Sequence, residues 1–322
     1  MDNRKILVLG SIAYDFIMSF SGDMNQTISM DPINHLFNLA VMPETKEKLF
    51  GGTAGNIGYN LSLLGAHAAL VTSVGKDFID LGYKDRIEYF PNVNFEGEIH
   101  PDSYSATCYI VNDYAKNQLI IFHRGAMNRG TSINLKEKYP EPNTFKIASL
   151  SPDYSPAMIK WAHELVDMKI PYIFDPGQVT PEFSRESLLD LIPKSYLLIG
   201  NEYEINMILK IMNYTLKELL SLNSNLIITQ GAKGSECHYQ GNIYQIPSCR
   251  PEKIMDPTGA GDGFRAGLLF GLAGGLLFEN ACKLGSVVGS FVVESLGPQS
   301  QQFTITDIHQ RFQKNFHQSL IL

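Results

Sequence analysis

Apolar positions along this chain fall in two alternating rhythms. The runs Ile6-Leu7-Val8-Leu9, Ala69-Leu70-Val71-Thr72, Tyr172-Ile173-Phe174, Leu197-Leu198-Ile199 and Leu226-Ile227-Ile228-Thr229 are short and continuous. That pattern predicts strands buried on both faces. Between them, residues 56–64, 156–167, 202–212 and 215–221 carry helical patterns. Strand–helix alternation predicts an α/β fold with a mainly parallel sheet covered on both sides, its ligands gathering at the carboxyl ends of the strands.

Residues of about 17–50 and 104–122 break the alternation, because no helix signal there fits the core. Residues 105–111 alternate in part, and Asn117-Gln118 reads as a hairpin turn between two such runs. These segments predict a small β-sheet lid on one domain spanning 1–322. The longest apolar stretch, 266–278, is 13 residues between Arg265 and Glu279, which suits a buried helix and not a membrane span.

Composition narrows the function classes. Net charge is 26 − 33 = −7 with no basic run, so neither nucleic acid nor an anionic membrane has an electrostatic footprint here. The four cysteines are scattered without a Cys-x-x-Cys, and no signal-type run is present, so a reduced, cytoplasmic protein is expected. Neither the Walker-type phosphate loop nor the Gly-x-Gly-x-x-Gly dinucleotide pattern occurs.

The chemistry concentrates in Asp256-Pro257-Thr258-Gly259-Ala260-Gly261-Asp262, ahead of an apolar helical pattern. Small residues let backbone N–H groups converge, and the following helix adds its unpaired amides and positive dipole end. Gly259, Ala260 and Gly261 are therefore candidate anion-hole residues, with Asp262 the carboxylate base beside them. A second glycine run, Gly51-Gly52-Thr53-Ala54-Gly55-Asn56, opens a helix, and Asn56 offers both a donor and an acceptor. Asp15, after the first apolar run, can accept from a vicinal diol. Taken singly, each of these also fits a turn or a helix cap. The same is true of Asn201-Glu202-Tyr203-Glu204 and of the loop Thr229-Gln230-Gly231-Ala232-Lys233-Gly234.

Together these segments resemble the ribokinase-like (phosphofructokinase-B) carbohydrate and nucleoside kinases. The resemblance covers essentially the whole chain and follows the family's motif order. Pro257 departs from the usual Thr, and Asp175-Pro176-Gly177-Gln178 lacks the Asn and Arg of the sugar kinases' Asp-x-Asn-x-Arg pattern. The resemblance implies a three-layer α/β/α fold with a β-sheet lid, and ATP-dependent phosphorylation of a primary hydroxyl.

It implies substrate contacts at Asp15, Gly51, Gly52 and Asn56. ATP contacts are implied at Asn201, Glu204, Thr229, Gly231, Gly234 and Asp256, with Mg²⁺ held near Glu204 through water. Arg124 is either a phosphate-neutralising group or a solvated lid residue, and a monovalent cation is left open. Gly10-Ser11-Ile12-Ala13-Tyr14-Asp15 and the Pro257 variant look most like bacterial adenosine kinase-type members. A nucleoside acceptor is therefore expected, adenosine first. Phe16, Ile17, Phe20 and Phe122, in or near the lid, are available either to floor a base or to pack the lid. The alternatives are a ribokinase- or fructokinase-type sugar kinase and a non-catalytic nucleoside- or sugar-binding protein. Pairing of two copies through the lid is a further expectation.

Overall fold

The structure, a computed structural model, describes residues 5–30, 37–141 and 143–321. Nine strands build the main sheet. Their order is Asn242–Ile246, Ser235–Tyr239, Leu226–Thr229, Leu197–Asn201, Tyr172–Phe174, Phe145–Leu150, Lys5–Leu9, Ala68–Val71 and Val93–Phe95. Pairing is parallel from Val93–Phe95 through to Leu226–Thr229, and antiparallel only where the final hairpin closes the edge.

Side chains alternate between the two faces of a strand, and both faces here are covered. Ile6 and Val8 join a core with Ile57, Leu61, Leu268, Val287 and Phe312, from helices on one side. Leu7 and Leu9 join a second core with Met158, Trp161, Leu188, Ile205 and Leu219, from helices on the other. That double burial is why the strand sequences read as continuous apolar runs. Each expected helix is present, as Thr53–Leu63, Ser155–Asp167, Glu202–Met212 and Leu216–Leu222.

A four-stranded sheet stands apart, in the order Gln118–His123, Ala106–Asp113, Ala13–Phe20, Thr45–Gly51. Its strand Ala13–Phe20 begins before the 17–50 segment expected from sequence, whereas Ala106–Asp113 and Gln118–His123 fall in or at the edge of 104–122; residues 31–36 of the first segment lie outside the described residues. The apolar stretch from Ile6 to Asp15 is not one strand. The chain leaves the main sheet after Leu9 and re-pairs from Ala13 in the small sheet, so Asp15 sits on a lid strand opposite Leu49 and Cys108. The hairpin turn precedes Gln118, which is already paired with Asn112; Asp113 accepts from the Asn117 backbone and side chain and holds the turn.

Candidate active site

Two glycine-bearing helix starts meet where the lid joins the main sheet. The first is the loop 256–259 and the helix Ala260–Ala273. Asp256 ties the loop: its carboxylate accepts from the Thr258 amide at 2.9 Å and the Gly297 amide at 3.0 Å. Burial alone would raise the Asp256 carboxyl, but these hydrogen bonds more than offset it and leave it below the usual carboxylate range. Gly259 turns the chain with φ 80°, and a Cβ there would lie 2.4 Å from Pro298 Cβ. Only glycine suits that place.

No side chain caps the helix. The Ala260 amide already donates to Pro257 O at 3.1 Å. Gly261 and Asp262 are thus left to supply the first-turn donors of the expected anion hole. The position of this turn is fixed from below. Cβ atoms on Gly263 and Gly267 would strike Val292 and the Gly285 backbone, so the Gly-x-x-x-Gly spacing lets Ala260–Ala273 lie close against Phe278–Val292.

The second start is Gly51-Gly52 and the helix Thr53–Leu63. Gly52 has φ 85°, and a Cβ there would lie 2.5 Å from Ser11 O. A Cβ on Gly51 would lie 2.4 Å from Asp15 Oδ2, so this glycine makes room for the Asp15 carboxylate. Desolvation pushes Asp15 up to about 6. Asn56, nearly buried, donates from Nδ2 to Asp262 Oδ2 at 2.8 Å and so joins the two starts.

Asp262 keeps part of its surface open, yet desolvation by the surrounding protein raises its carboxyl to about 7. Arg265 and the Asn56 hydrogen bond act in the lowering direction, while the charges of Asp175 and Asp15 act in the raising one. A carboxylate poised near neutrality suits a general base.

Sequence reasoning missed a neighbour of this group. Arg265 is buried, makes a two-pronged ion pair with Asp175 and donates to Gly261 O at 3.0 Å. Burial works against its charge, but Asp175 more than compensates and holds the guanidinium protonated. The available signal was a lone arginine three residues after Asp262, in a helix whose remaining residues are apolar or glycine.

The other expected residues fall in two groups. Thr229, Gly231 and Gly234 line a cavity of about 530 Å³ with Pro257, Ala260, Gly261 and Phe264. That volume lies in the range of small-molecule sites. Asn201 and Glu204 form a reciprocal capping box, with Asn201 Oδ1 accepting from the Glu204 amide and Glu204 Oε2 from the Asn201 amide. Desolvation and the charge of Asp175 raise the Glu204 carboxyl, so it lies beside the Arg265–Asp175 pair. Arg124 pairs instead with Glu182, which also accepts from Ser155. Its hydrogen bonds do not reach Asp15, Asn56 or Asp262. Among the described residues no group of three or more His, Cys, Asp and Glu is arranged to hold a metal, and no helix is long and apolar enough to cross a membrane.

With this geometry in view, residues 4–304 match the pfkB carbohydrate kinase family. The chain belongs to that family. As a pfkB-family protein it has the ribokinase-like fold with its lid sheet, and its reaction class is phosphoryl transfer to an alcohol.

Among its relatives, a nucleoside kinase of Methanocaldococcus jannaschii is 30% identical over 298 residues, covering 88% of this chain and 94% of the relative. The Burkholderia thailandensis nucleoside kinase, solved in complex with inosine, superposes with a TM-score of 0.85 at 34% identity, over 98% of this chain and 99% of that one. The same enzyme with ADP and inosine gives a TM-score of 0.82, also at 34% identity, over 98% and 97%. The Bacillus subtilis ribokinase is 26% identical over 95% of this chain and 99% of its own.

Proposed function

We propose that this pfkB-family kinase transfers the γ-phosphoryl group of ATP to the 5′-hydroxyl of a nucleoside, adenosine first. The observation that carries the reading is the placement of Asp262, near neutrality, between the first-turn amides and Asn56. Asp262 takes the proton of the acceptor hydroxyl as the oxygen attacks phosphorus. The amides of Gly261 and Asp262, with Gly259 turning the chain into them, balance charge on the transferring phosphoryl oxygens. Asp15, beside Gly51, accepts from the vicinal hydroxyls of the ribose. The cavity at Thr229, Gly231 and Gly234 takes the nucleotide.

Closure of the lid excludes water and so limits ATP hydrolysis. Glu204 would reach, through water, a Mg²⁺ carried on the substrate phosphates, and such an ion would supply neutralising charge there. Arg124 stays paired with Glu182 in this reading. A nucleoside acceptor is supported by the two nucleoside kinases that align along nearly their whole length. The ribokinase alignment supports the rival, a free pentose. ADP release with ATP and a panel of adenosine, inosine, cytidine, ribose and fructose tests the choice.

Exposed Ile120, Ile121 and Phe122 on the edge strand of the lid support pairing of two copies there. Light scattering on Ile121→Asp, if it leaves the wild-type mass unchanged, removes that reading.

A further inference from the structure

Beneath Asp262 runs a hydrogen-bonded line of buried side chains that phosphoryl transfer does not itself require. Tyr83 Oη donates to Gly51 O at 2.7 Å. Gln299 Nε2 donates to Tyr83 Oη at 2.7 Å and to Asn56 Oδ1 at 3.0 Å. Asn56 Nδ2 donates to Asp262. The far end of the line, Gly51, lies against the Asp15 carboxylate.

The polarity of this line is forced from one end. A backbone carbonyl can only accept, so the Tyr83 hydroxyl must give its proton to Gly51. Its oxygen then needs a donor, which turns the nitrogen of the Gln299 amide towards it. The same nitrogen meets Asn56, so the Asn56 oxygen faces Gln299 and the Asn56 nitrogen faces Asp262. Gln299 Oε1 is left buried without a partner, an uncompensated cost of holding the amide this way round. The backbone carbonyl of Gln299 accepts from Arg86, which stacks over Tyr59.

We infer that Gln299 is a positioning residue: it fixes the Asn56 carboxamide so that an N–H, and never a carbonyl oxygen, faces the Asp262 carboxylate. Reversed, Asn56 would set an oxygen against that carboxylate and favour its protonated, inactive form. The inference rests on Asp262 as the proton acceptor proposed above. The charged groups that face Asp262 are Arg265 on its own helix, Asp175 after the strand Tyr172–Phe174 and Asp15 on the lid strand, with Glu204 beyond Arg265. None of them is altered by changing Gln299.

The test is Gln299→Met, which keeps the volume and removes the donor. The acid limb of the kcat–pH profile is expected to move up by about one unit, so that kcat at pH 7 falls roughly 5- to 10-fold and recovers by about pH 9, with KM for ATP unchanged. A loss of the same size at every pH would mark a merely structural role and overturn the inference. Titrating the Asp262 carboxyl by carbon NMR without substrates gives a readout independent of turnover. Its midpoint should rise in the variant, and an unchanged midpoint contradicts the inference.

Should the variant fail to fold, the wild-type protein still decides. The side-chain amide nitrogens of Asn56 and Gln299 should shift along the Asp262 titration, and a Gln299 signal blind to it refutes the relay. A wild-type chain that phosphorylates nothing, yet shows the coupled titration, would sink the kinase reading while leaving the orientation of Asn56 by Gln299 standing.

Discussion

Asn56 and Asp262, 206 positions apart in the chain, are joined by a 2.8 Å hydrogen bond from carboxamide to carboxylate. The bond couples the helix start that would hold the acceptor to the helix start that would hold the phosphoryl group. Only the deprotonated form of Asp262 can take a proton, and its carboxyl is raised to about 7 by desolvation. The kcat of the wild-type enzyme should therefore rise with pH through about 7 and then level. Asp262→Asn should lower kcat by about 10²–10⁴-fold with little change in KM, because its contribution is made in the transition state. Steady-state kinetics across pH 5–9 check both, and near-normal turnover by the variant would reject the base role.

The same raised carboxyl predicts the sign of a stability effect. A carboxyl whose folded-state pKa lies above its unfolded value favours folding at low pH, where it stays protonated in both states. That advantage is lost as pH rises from the unfolded value near 4 through about 7. Asp262→Asn carries no such charge. Its Tm should exceed that of the wild type by roughly 2–4 °C at pH 8, with the gap closing towards pH 4. Thermal melts at the two pH values measure this, and a gap that widens on acidification contradicts the assignment.

Arg265 and Asp175 form a buried ion pair that also touches the first turn of the helix Ala260–Ala273 through Gly261 O. Removing one partner strands the other charge in the interior. Arg265→Met should cost about 3–5 kcal/mol of folding stability, and Arg265→Met with Asp175→Leu should recover a good part of it. Denaturant unfolding of the single and double variants reads this. A double variant as unstable as the single one would mean that the pair does not account for the loss.

Gly259 carries the turn into the site with φ 80°, hard against Pro298. Gly259→Ala should cost on the order of 1–3 kcal/mol and shift the first-turn amides of the helix. The expected result is a lower Tm together with a kcat loss larger than any change in acceptor KM. Unchanged kcat in a destabilised variant would separate this glycine from catalysis.

Much of the site was legible because its parts are contiguous in sequence. Asp256 to Asp262 and Gly51 to Asn56 each complete a turn, a helix start and a polar side chain within a few residues, so local spacing marks them as candidates, and their order along the chain separates them from plain caps. The strand Phe145–Leu150 escaped notice although it lies at the centre of the sheet. Lys146 and Ser149 interrupt its apolar run, and the buried Ser149 hydroxyl is hydrogen-bonded at 2.7 Å to the Ser151 hydroxyl just beyond the strand.

Asp175 met Arg265 across 90 positions, and Gln299 met Asn56 across 243, neither pairing having a local pattern to announce it. The capping box of Asn201 and Glu204 shows the converse. Its spacing fits both a helix cap and a ligand contact, and the structure displays the cap.

The claim at the centre of this account is a nucleoside 5′-kinase, and product identification tests it most directly. The purified chain is incubated with ATP, Mg²⁺ and equal concentrations of adenosine, inosine, cytidine, ribose and fructose, and the products are assigned by phosphorus NMR. The account predicts nucleoside 5′-monophosphate, adenosine leading, in step with ADP. Ribose or fructose phosphate as the product, with the nucleosides untouched, would contradict it.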